Sequence, residues 1–498
     1  MDLSLRGIEW QLLTEDGRSW LGACAVAPVD VCLVKLSHRR RVVRLPGGIF
    51  VKEIHYRGLR SLFKTVIGGN AWREGRTLLE LTRRGVHVPQ VLAIGVEHRR
   101  GMLQRDLLVT REVPGARSLS EFVLQEFDNL PFSQKRGCVA QFAAFIRQLH
   151  DQGVLQPDLH IGNILVQGGQ TEVRFVLLDA DRVRLKSEPL SHQERVRNLA
   201  LLLGNFWTLD AAPQHFRFHF FKDYSKQNCI AREGKFIEAI AQAALGVFRK
   251  LWKVHARRCL FNNKRFISKR QHGFRVFRVH RSDVEAALQE LLPDPDRILE
   301  RGAVLKDGRT VKAARVELGG VCYFLKRYNC KGWTYRVRNA VRRSRAVRTW
   351  WVSWAFRVRG LPVPEPLICL EERRFRLLGR SYILSRYVEN AERLNDVWPR
   401  CDDSERRGLL AGLAMLLGRM HRFGALHGDL KWQNILLQAR ADGGTITLTD
   451  LDGSRIMGRF MRKRPAKDLA RFLRDLEERD EAGGYKAFFL HSWRKWSR

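Results

Sequence analysis

The stretch ALHGDLKWQNILLQ, residues 425–438, decides the reading of this chain. It sets Asp429 and Asn434 five residues apart, just past an apolar helical pattern and just ahead of an apolar run. Much earlier, VLQPDLHIGNILVQ, residues 154–167, repeats the pattern with Asp158 and Asn163. Two copies of one loop point to two copies of one domain.

The match extends outward from both loops. Upstream lie CVAQFAAFIRQLHDQG, residues 138–153, and LLAGLAMLLGRMHRFG, residues 409–424. Their apolar residues recur at helical spacing, and each ends in Gly, a common residue just past a helix end. His150 and His421 fall at matching places near those ends and are read as structural. Downstream, VRFVLLDADR, residues 173–182, and TITLTDLDGS, residues 445–454, are apolar runs ending in acid. Asp179 follows Asp158 at the same interval as Asp450 follows Asp429. Asp181 and Asp452, two positions further, are expected to satisfy loop backbone rather than a metal. RVRNLALLL, residues 195–203, and PAKDLARFL, residues 465–473, then give a short helix in each copy.

The parts before the loops agree as well. GGIFVKEIHYRG, residues 47–58, parallels GGVCYFLKRYNCKG, residues 319–332: a Gly-Gly turn, then a strand holding Lys52 or Lys326. Helical patterns follow at residues 71–85 and 346–360, then strands at residues 107–113 and 382–388. The expected class is α+β: two bilobal domains in tandem, each a small antiparallel-sheet lobe followed by a mainly helical lobe. Residues 1–268 form the first domain and 269–498 the second, joined in the basic stretch near residues 264–273.

Composition narrows the function. The chain has 498 residues, 45% apolar, enough for ordinary cores, with no low-complexity tract. Its formal net charge of +37 implies either a merely soluble basic surface or a polyanionic partner. Lys and Arg are spread through both halves, which favours a general anionic surface over one nucleic-acid reading head, and no nucleic-acid module is recognised. Nine scattered cysteines without a CxxC pair imply a reducing compartment and no legible zinc site. No signal peptide and no run of about 20 apolar residues is present, so a cytoplasmic chain is expected.

The order Lys, Glu, D-x-x-x-x-N, then Asp at the end of an apolar run is a chemical programme. Phosphoryl transfer from ATP needs charge placed around the phosphates more than it needs a covalent nucleophile. A strand Lys reaches the phosphates and is positioned by a helix Glu; Asp takes the acceptor proton; an Asn amide oxygen and a second carboxylate hold Mg²⁺. Asp158 and Asp429 are therefore the candidate catalytic residues, Lys52, Glu74 and Lys326 the candidate ATP-binding residues, and Asn163, Asp179, Asn434 and Asp450 the candidate Mg²⁺ ligands. One D-x-x-x-x-N is weak evidence, since turn or cap residues often match it. Two, each followed at equal distance by an acidic strand end, are strong.

HGDLKWQNILL with LTDLDGSR, and QPDLHIGNILV with LLDADRVR, resemble the bacterial lipopolysaccharide kinase family, which includes the Kdo kinases and inner-core heptose kinases. The GGxxxxLKRY strand and the segment GLPVPEPL strengthen the match, which covers most of each half. The resemblance implies a protein-kinase-like fold and ATP-dependent phosphorylation of a sugar hydroxyl on the lipid A–core. The partners it implies are the lipopolysaccharide core or a lipid A precursor, and an anionic membrane surface at the cytoplasmic face of the inner membrane. That agrees with a strongly basic chain attracted to anionic lipid.

The copies depart from the family pattern in complementary ways. Copy one keeps Lys52 and Glu74 but has Gln156-Pro157 where His-Gly is usual. Copy two keeps His427-Gly428-Asp429, but Thr349 stands where copy one has Glu74, and no acidic residue lies between Lys326 and Thr349. Neither copy shows a glycine-rich phosphate loop; KDGRTVKAARVELGG, residues 306–320, is the nearest hairpin. The Lys52–Glu74 pair favours copy one as the working site. Competing readings are a non-catalytic scaffold binding lipid or a partner enzyme, and a kinase for a protein or small-molecule hydroxyl. The sequence leaves the acceptor sugar and the oligomeric state open.

Overall fold

The computed structural model describes residues 7–26, 32–37, 39–168, 173–209, 214–225, 233–330, 332–375, 377–438, 444–457, 464–480 and 483–497. Contacts divide it into two compact units, Met1–Val247 and Phe248–Arg498. Both are α+β with antiparallel sheets, as the alternation of strand and helix patterns implied.

The first unit opens with a six-stranded antiparallel sheet in the order Glu9–Leu12, Val91–Arg99, Met102–Arg111, Ile49–His55, Arg40–Leu45, Cys32–Leu36. The second opens with seven strands: Phe266–Gln271, Phe274–Val279, Pro366–Arg374, Leu377–Arg386, Val321–Tyr328, Val311–Leu318, Ala303–Gly308. The last five strands correspond one for one with the last five of the first sheet, and the additions share one edge. Alternation explains why these runs pair. In Ile49–His55, Val51 is fully buried on one face while Lys52 points to the other, where the helix Asn70–Arg83 covers the sheet through Leu78 and Leu81.

Each sheet is followed by a helical region. In the first unit the helix Phe132–Asp151 packs Phe142 and Phe145 against Phe175 of the strand Val173–Leu177. In the second, Asp403–Arg422 starts on a capping box formed by Asp402 and Glu405 and buries Leu413, Leu417 and Met420. Both helices begin about six residues before the stretches quoted from sequence, because their first turns face solvent and lack apolar periodicity. Two further helices, Leu59–Ile67 and Trp333–Arg338, lie between the lysine strand and the following helix of each unit and were not anticipated.

Candidate active site

Backbone pairing brings the repeated acids together. In the first unit Leu178 N donates to Asn163 O at 2.8 Å; in the second Thr449 N donates to Asn434 O at 2.8 Å. Each bond sets the next residue, Asp179 or Asp450, beside the asparagine. Asp179 and Asp450 both take the left-handed backbone region, at φ 53° and 55°. That conformation is unfavourable for a non-glycine residue, and its occurrence at both positions marks them as functional candidates.

The asparagines are oriented alike. Asn163 Nδ2 donates to Asp158 O at 3.2 Å, and Asn434 Nδ2 to Asp429 O at 2.9 Å. Spending amide N–H on the loop leaves each Oδ1 as an acceptor, and with the carboxylate next along the paired backbone it makes a donor set suited to a hard cation. These residues therefore fit Mg²⁺.

The lysines differ in their partners. Lys52 Nζ is ion-paired with Glu74 and lies 3.1 Å from Asp179 Oδ1, which Arg40 also approaches at 3.3 Å. Burial works to raise the Asp179 carboxyl, but Lys52 and Arg40 outweigh it and hold the group below the usual carboxylate range. Burial pushes the Glu74 carboxyl up, with Lys52 opposing. Lys326 Nζ lies 2.7 Å from Asp450 Oδ1 and 3.0 Å from Asp452 Oδ2.

This last contact corrects two expectations. Asp452 does not serve loop backbone, and Lys326 does not lack an acid in place of the missing glutamate. Asp452 is held by Arg345 at 3.1 Å and by the hydroxyls of Tyr328 and Thr349 at 2.5 and 3.2 Å. Thr349, unable to pair with an ammonium, orients the carboxylate that does. In the first unit the lysine is already held by Glu74, and Asp181 stays off it.

The loops are anchored differently too. In the second unit Asp468 accepts from His427 N at 2.9 Å, from Gly428 N at 2.6 Å and from His421 Nε2 at 3.1 Å. Burial would raise its carboxyl, but these donors hold it below the usual range. Gly428 needs its identity: it sits at φ 81°, and a Cβ there would lie 2.3 Å from Gly453 O. In the first unit Pro157 has no N–H and cannot adopt that φ. Asn198 stands where Asp468 does and reverses the polarity, donating to Gln156 O at 2.6 Å while its Oδ1 pairs with His150 Nε2 at 3.0 Å. His150 and His421 are thus buried structural residues, as expected.

Asp158 is exposed. Asp429 is half-buried, with Lys431 at 3.3 Å and Arg471 at 3.0 Å. In place of a glycine-rich phosphate loop, each unit has a β-bulge followed by lysine. Lys35 lies opposite Val42, itself opposite Lys52; Lys306 lies opposite Ala313, itself opposite Lys326. Directly opposed residues share a sheet face, so each lysine projects to the side of its strand lysine. Lys306 also helps lower the Asp450 carboxyl, behind burial, which opposes this, and Lys326. Sequence reading missed Lys35, Lys306 and Asp468, although Asp468 lay inside the quoted repeat PAKDLARFL.

Known proteins resemble this chain. The family model "Lipopolysaccharide kinase (Kdo/WaaP) family" matches residues 49–224 and 291–490. A 3-deoxy-D-manno-octulosonic acid kinase of Actinobacillus succinogenes is 33% identical over 160 residues, 32% of this chain and 62% of that protein, so the chain spans about three-fifths of this relative's length. Among solved structures, WaaP in complex with acyl carrier protein aligns with TM-score 0.35 and 19% identity, covering 48% of this chain and 99% of that one. An ADP-bound aminoglycoside phosphotransferase aligns with TM-score 0.32 and 10% identity, covering 48% of this chain and 88% of that one.

Proposed function

The chain belongs to the lipopolysaccharide kinase (Kdo/WaaP) family, and we propose that it transfers the γ-phosphoryl group of ATP to a sugar hydroxyl, Kdo or heptose, of the lipopolysaccharide inner core. The reaction runs at the cytoplasmic face of the inner membrane, on a core or lipid A precursor substrate. The observation that carries this reading is the doubled Lys–Asp–Asn–Asp arrangement, with Asn434 and Asp450, like Asn163 and Asp179, locked side by side by one backbone bond. We further propose two kinase-like bilobal domains in tandem, with the join earlier than the 268/269 boundary expected from sequence, as the division between Val247 and Phe248 supports. The join is moved ahead of Phe266, since Phe266–Gln271 pairs along its length with Phe274–Val279.

In this mechanism Asp429 accepts the proton of the acceptor hydroxyl. That oxygen forms its bond to the γ-phosphorus while the bond to the β-phosphate oxygen breaks, and ADP leaves with the electron pair. Lys326 draws the phosphates into line, its ammonium steadied by Asp450 and Asp452, and Lys306 supplies a second cation from the hairpin. Lys431 and Arg471 place positive charge beside Asp429, where the acceptor and the transferring group meet. Mg²⁺, when bound with ATP, would be held by Asn434 and Asp450, or by Asn163 and Asp179, and neutralises phosphate charge.

The ground for preferring the first copy was an acid missing beside Lys326, and Asp452 removes it. Both units bind Mg²⁺-ATP in this reading, and the second carries the faster transfer. Arg471 stands where the first unit has Leu201, and Arg40 competes with a cation for Asp179. The test is phosphorylation of purified core oligosaccharide with Mg²⁺-ATP, followed by mass spectrometry. Added phosphate that disappears in the double variant Asp158→Ala/Asp429→Ala supports the reading; phosphate-free product with wild type favours a scaffold.

A further inference from the structure

The helix Leu59–Ile67 is inside out. Its apolar residues Leu59, Leu62, Phe63, Val66 and Ile67 follow the spacing of one helical stripe, and all are exposed, Leu59 by 87% and Val66 by 80%. The polar residues face the protein instead. Ser61 is only 1% exposed and donates to Leu103 O, while Thr65 Oγ1 accepts from Leu103 N at 2.8 Å. A surface helix normally does the reverse, turning its apolar stripe to the core. Burying hydroxyls while exposing five large apolar side chains is unfavourable in water, so the stripe has another solvent.

Charge identifies that solvent. Residues 57–73 contain Arg57, Arg60, Lys64 and Arg73 and no acidic residue. Arg57 and Arg60 are exposed at the start of the helix. A second copy of this chain would bring the same cations and a further +37 of formal charge against them. An anionic bilayer offers both complements: acyl chains for the stripe and headgroup phosphates for the arginines. The second unit repeats the device in the matching place. The helix Trp333–Arg338 exposes Trp333 and Val337, and no acidic residue occurs from Lys326 to Arg348. Trp is a residue of the membrane interface.

We propose that Leu59–Ile67 is an interfacial helix that lies in the headgroup region of an anionic membrane, its apolar stripe inserted and Arg57 and Arg60 on lipid phosphates. The helix follows the lysine strand and precedes the helix that carries Glu74, so insertion sets the first unit's sheet lobe against the membrane. This deepens the proposed function by naming how a kinase without a spanning helix among its described residues meets a lipid-borne acceptor. It rests on that reading only for its purpose, not for its physics.

The test is co-sedimentation of the full chain with phosphatidylglycerol-rich vesicles and with neutral phosphatidylcholine vesicles, at low and high salt. Phosphorylation of soluble core oligosaccharide is measured alongside. Wild type should bind the anionic vesicles, weaken with salt as the arginines are screened, and keep a residual bound fraction from the inserted stripe. Phe63→Asp/Val66→Asp, at exposed positions, should lose binding at least about ten-fold. Its melting temperature and soluble-substrate turnover should not change. Equal vesicle binding by wild type and variant overturns the proposal, as does wild type that ignores both vesicles. Wild type that dimerises through this face, with the dimer lost in the variant, assigns the stripe to a second copy and also overturns it. Failure of the kinase reading shows separately, as absent phosphorylation with vesicle binding intact.

Discussion

Lys52 and Lys326 occupy the same place in corresponding strands, yet their charges are balanced from different directions. Lys52 takes its carboxylate from the adjoining helix, at Glu74. Lys326 takes it from the turn after Asp450, at Asp452, with Thr349 reduced to a hydroxyl that steadies the partner. A buried ammonium is costly without carboxylates around it, and beside Lys326, where Thr349 brings no charge, Asp452 joins Asp450 in supplying them. The requirement is a charge at a point in space, and the chain meets it with either of two segments. The loops show the same principle. Asp468 collects the backbone N–H groups of His427 and Gly428, the second of which Pro157 cannot match, and Asn198 at the matching position turns donor to Gln156 O instead.

The largest effect that would break this comparison comes from Asp429 and Asp158, the proposed proton acceptors. Asp429→Ala should cut turnover by about 10²–10⁴-fold with little change in nucleotide affinity, as expected for a group needed in the transition state. Asp158→Ala should leave most of the rate. Steady-state kinetics on core oligosaccharide with both variants decides; a dead Asp158→Ala beside an active Asp429→Ala would return the main site to the first unit.

A smaller effect tests the loop backbones. Gly428→Ala forces a side chain into a left-handed position and against Gly453 O, so the loop must shift. We expect local destabilisation of roughly 1–3 kcal/mol and a loss of turnover, read by hydrogen exchange over residues 425–438. Pro157→Gly in the first unit should do little, because no partner there waits for the freed N–H. Equal protection of the Gly428→Ala loop and the wild-type loop would count against the anchoring described here.

The compensating acid gives the next test. In an Asp158→Ala background, Asp452→Asn should slow transfer about ten-fold by loosening Lys326, and adding Thr349→Glu should restore part of the loss. Asp181→Asn, the counterpart change, should be near neutral, since Glu74 already holds Lys52. Loss at Asp452 without rescue by Thr349→Glu would assign Asp452 a role other than charge.

What the sequence made legible follows from what is local. D-x-x-x-x-N, the acidic strand end and the Gly-Gly turn are short segments whose spacing is fixed by backbone geometry, and they were enough to read the α+β class and the kinase family. Asp452 was quoted within LTDLDGSR, but its bond to Lys326 spans more than a hundred residues and depends on Tyr328, Arg345 and Thr349 folding around it. Asp468 was hidden in the same way inside a short helix. The stripe of Leu59–Ile67 has helical period, yet period says nothing about which side meets the sheet. That was decided by Ser61 and Thr65 finding the backbone of Leu103.

The smallest effect concerns the two buried histidines. His150 rests on the neutral amide of Asn198 and receives the Tyr224 hydroxyl, whereas His421 faces the Asp468 carboxylate. Burial lowers the His150 pKa to about 4, well under its ordinary value. The folded state therefore binds its proton later than the unfolded state does, and stability rises with pH between the two pKa values. The contribution is fully present above about pH 6.5 and falls away as pH drops toward about 4. For this one group the slope is at most about 1.4 kcal/mol per pH unit. Replacing it by His150→Gln breaks two hydrogen bonds and lowers stability at every pH, so the slope is the readout. Thermal melts across this window, followed by exchange in the helix Phe132–Asp151, should show a shallower dependence in the variant. An unchanged slope would mean that His150 does not govern the acid side of the first unit's stability in this window, and that the neutral anchor at Asn198 differs from Asp468 in geometry alone.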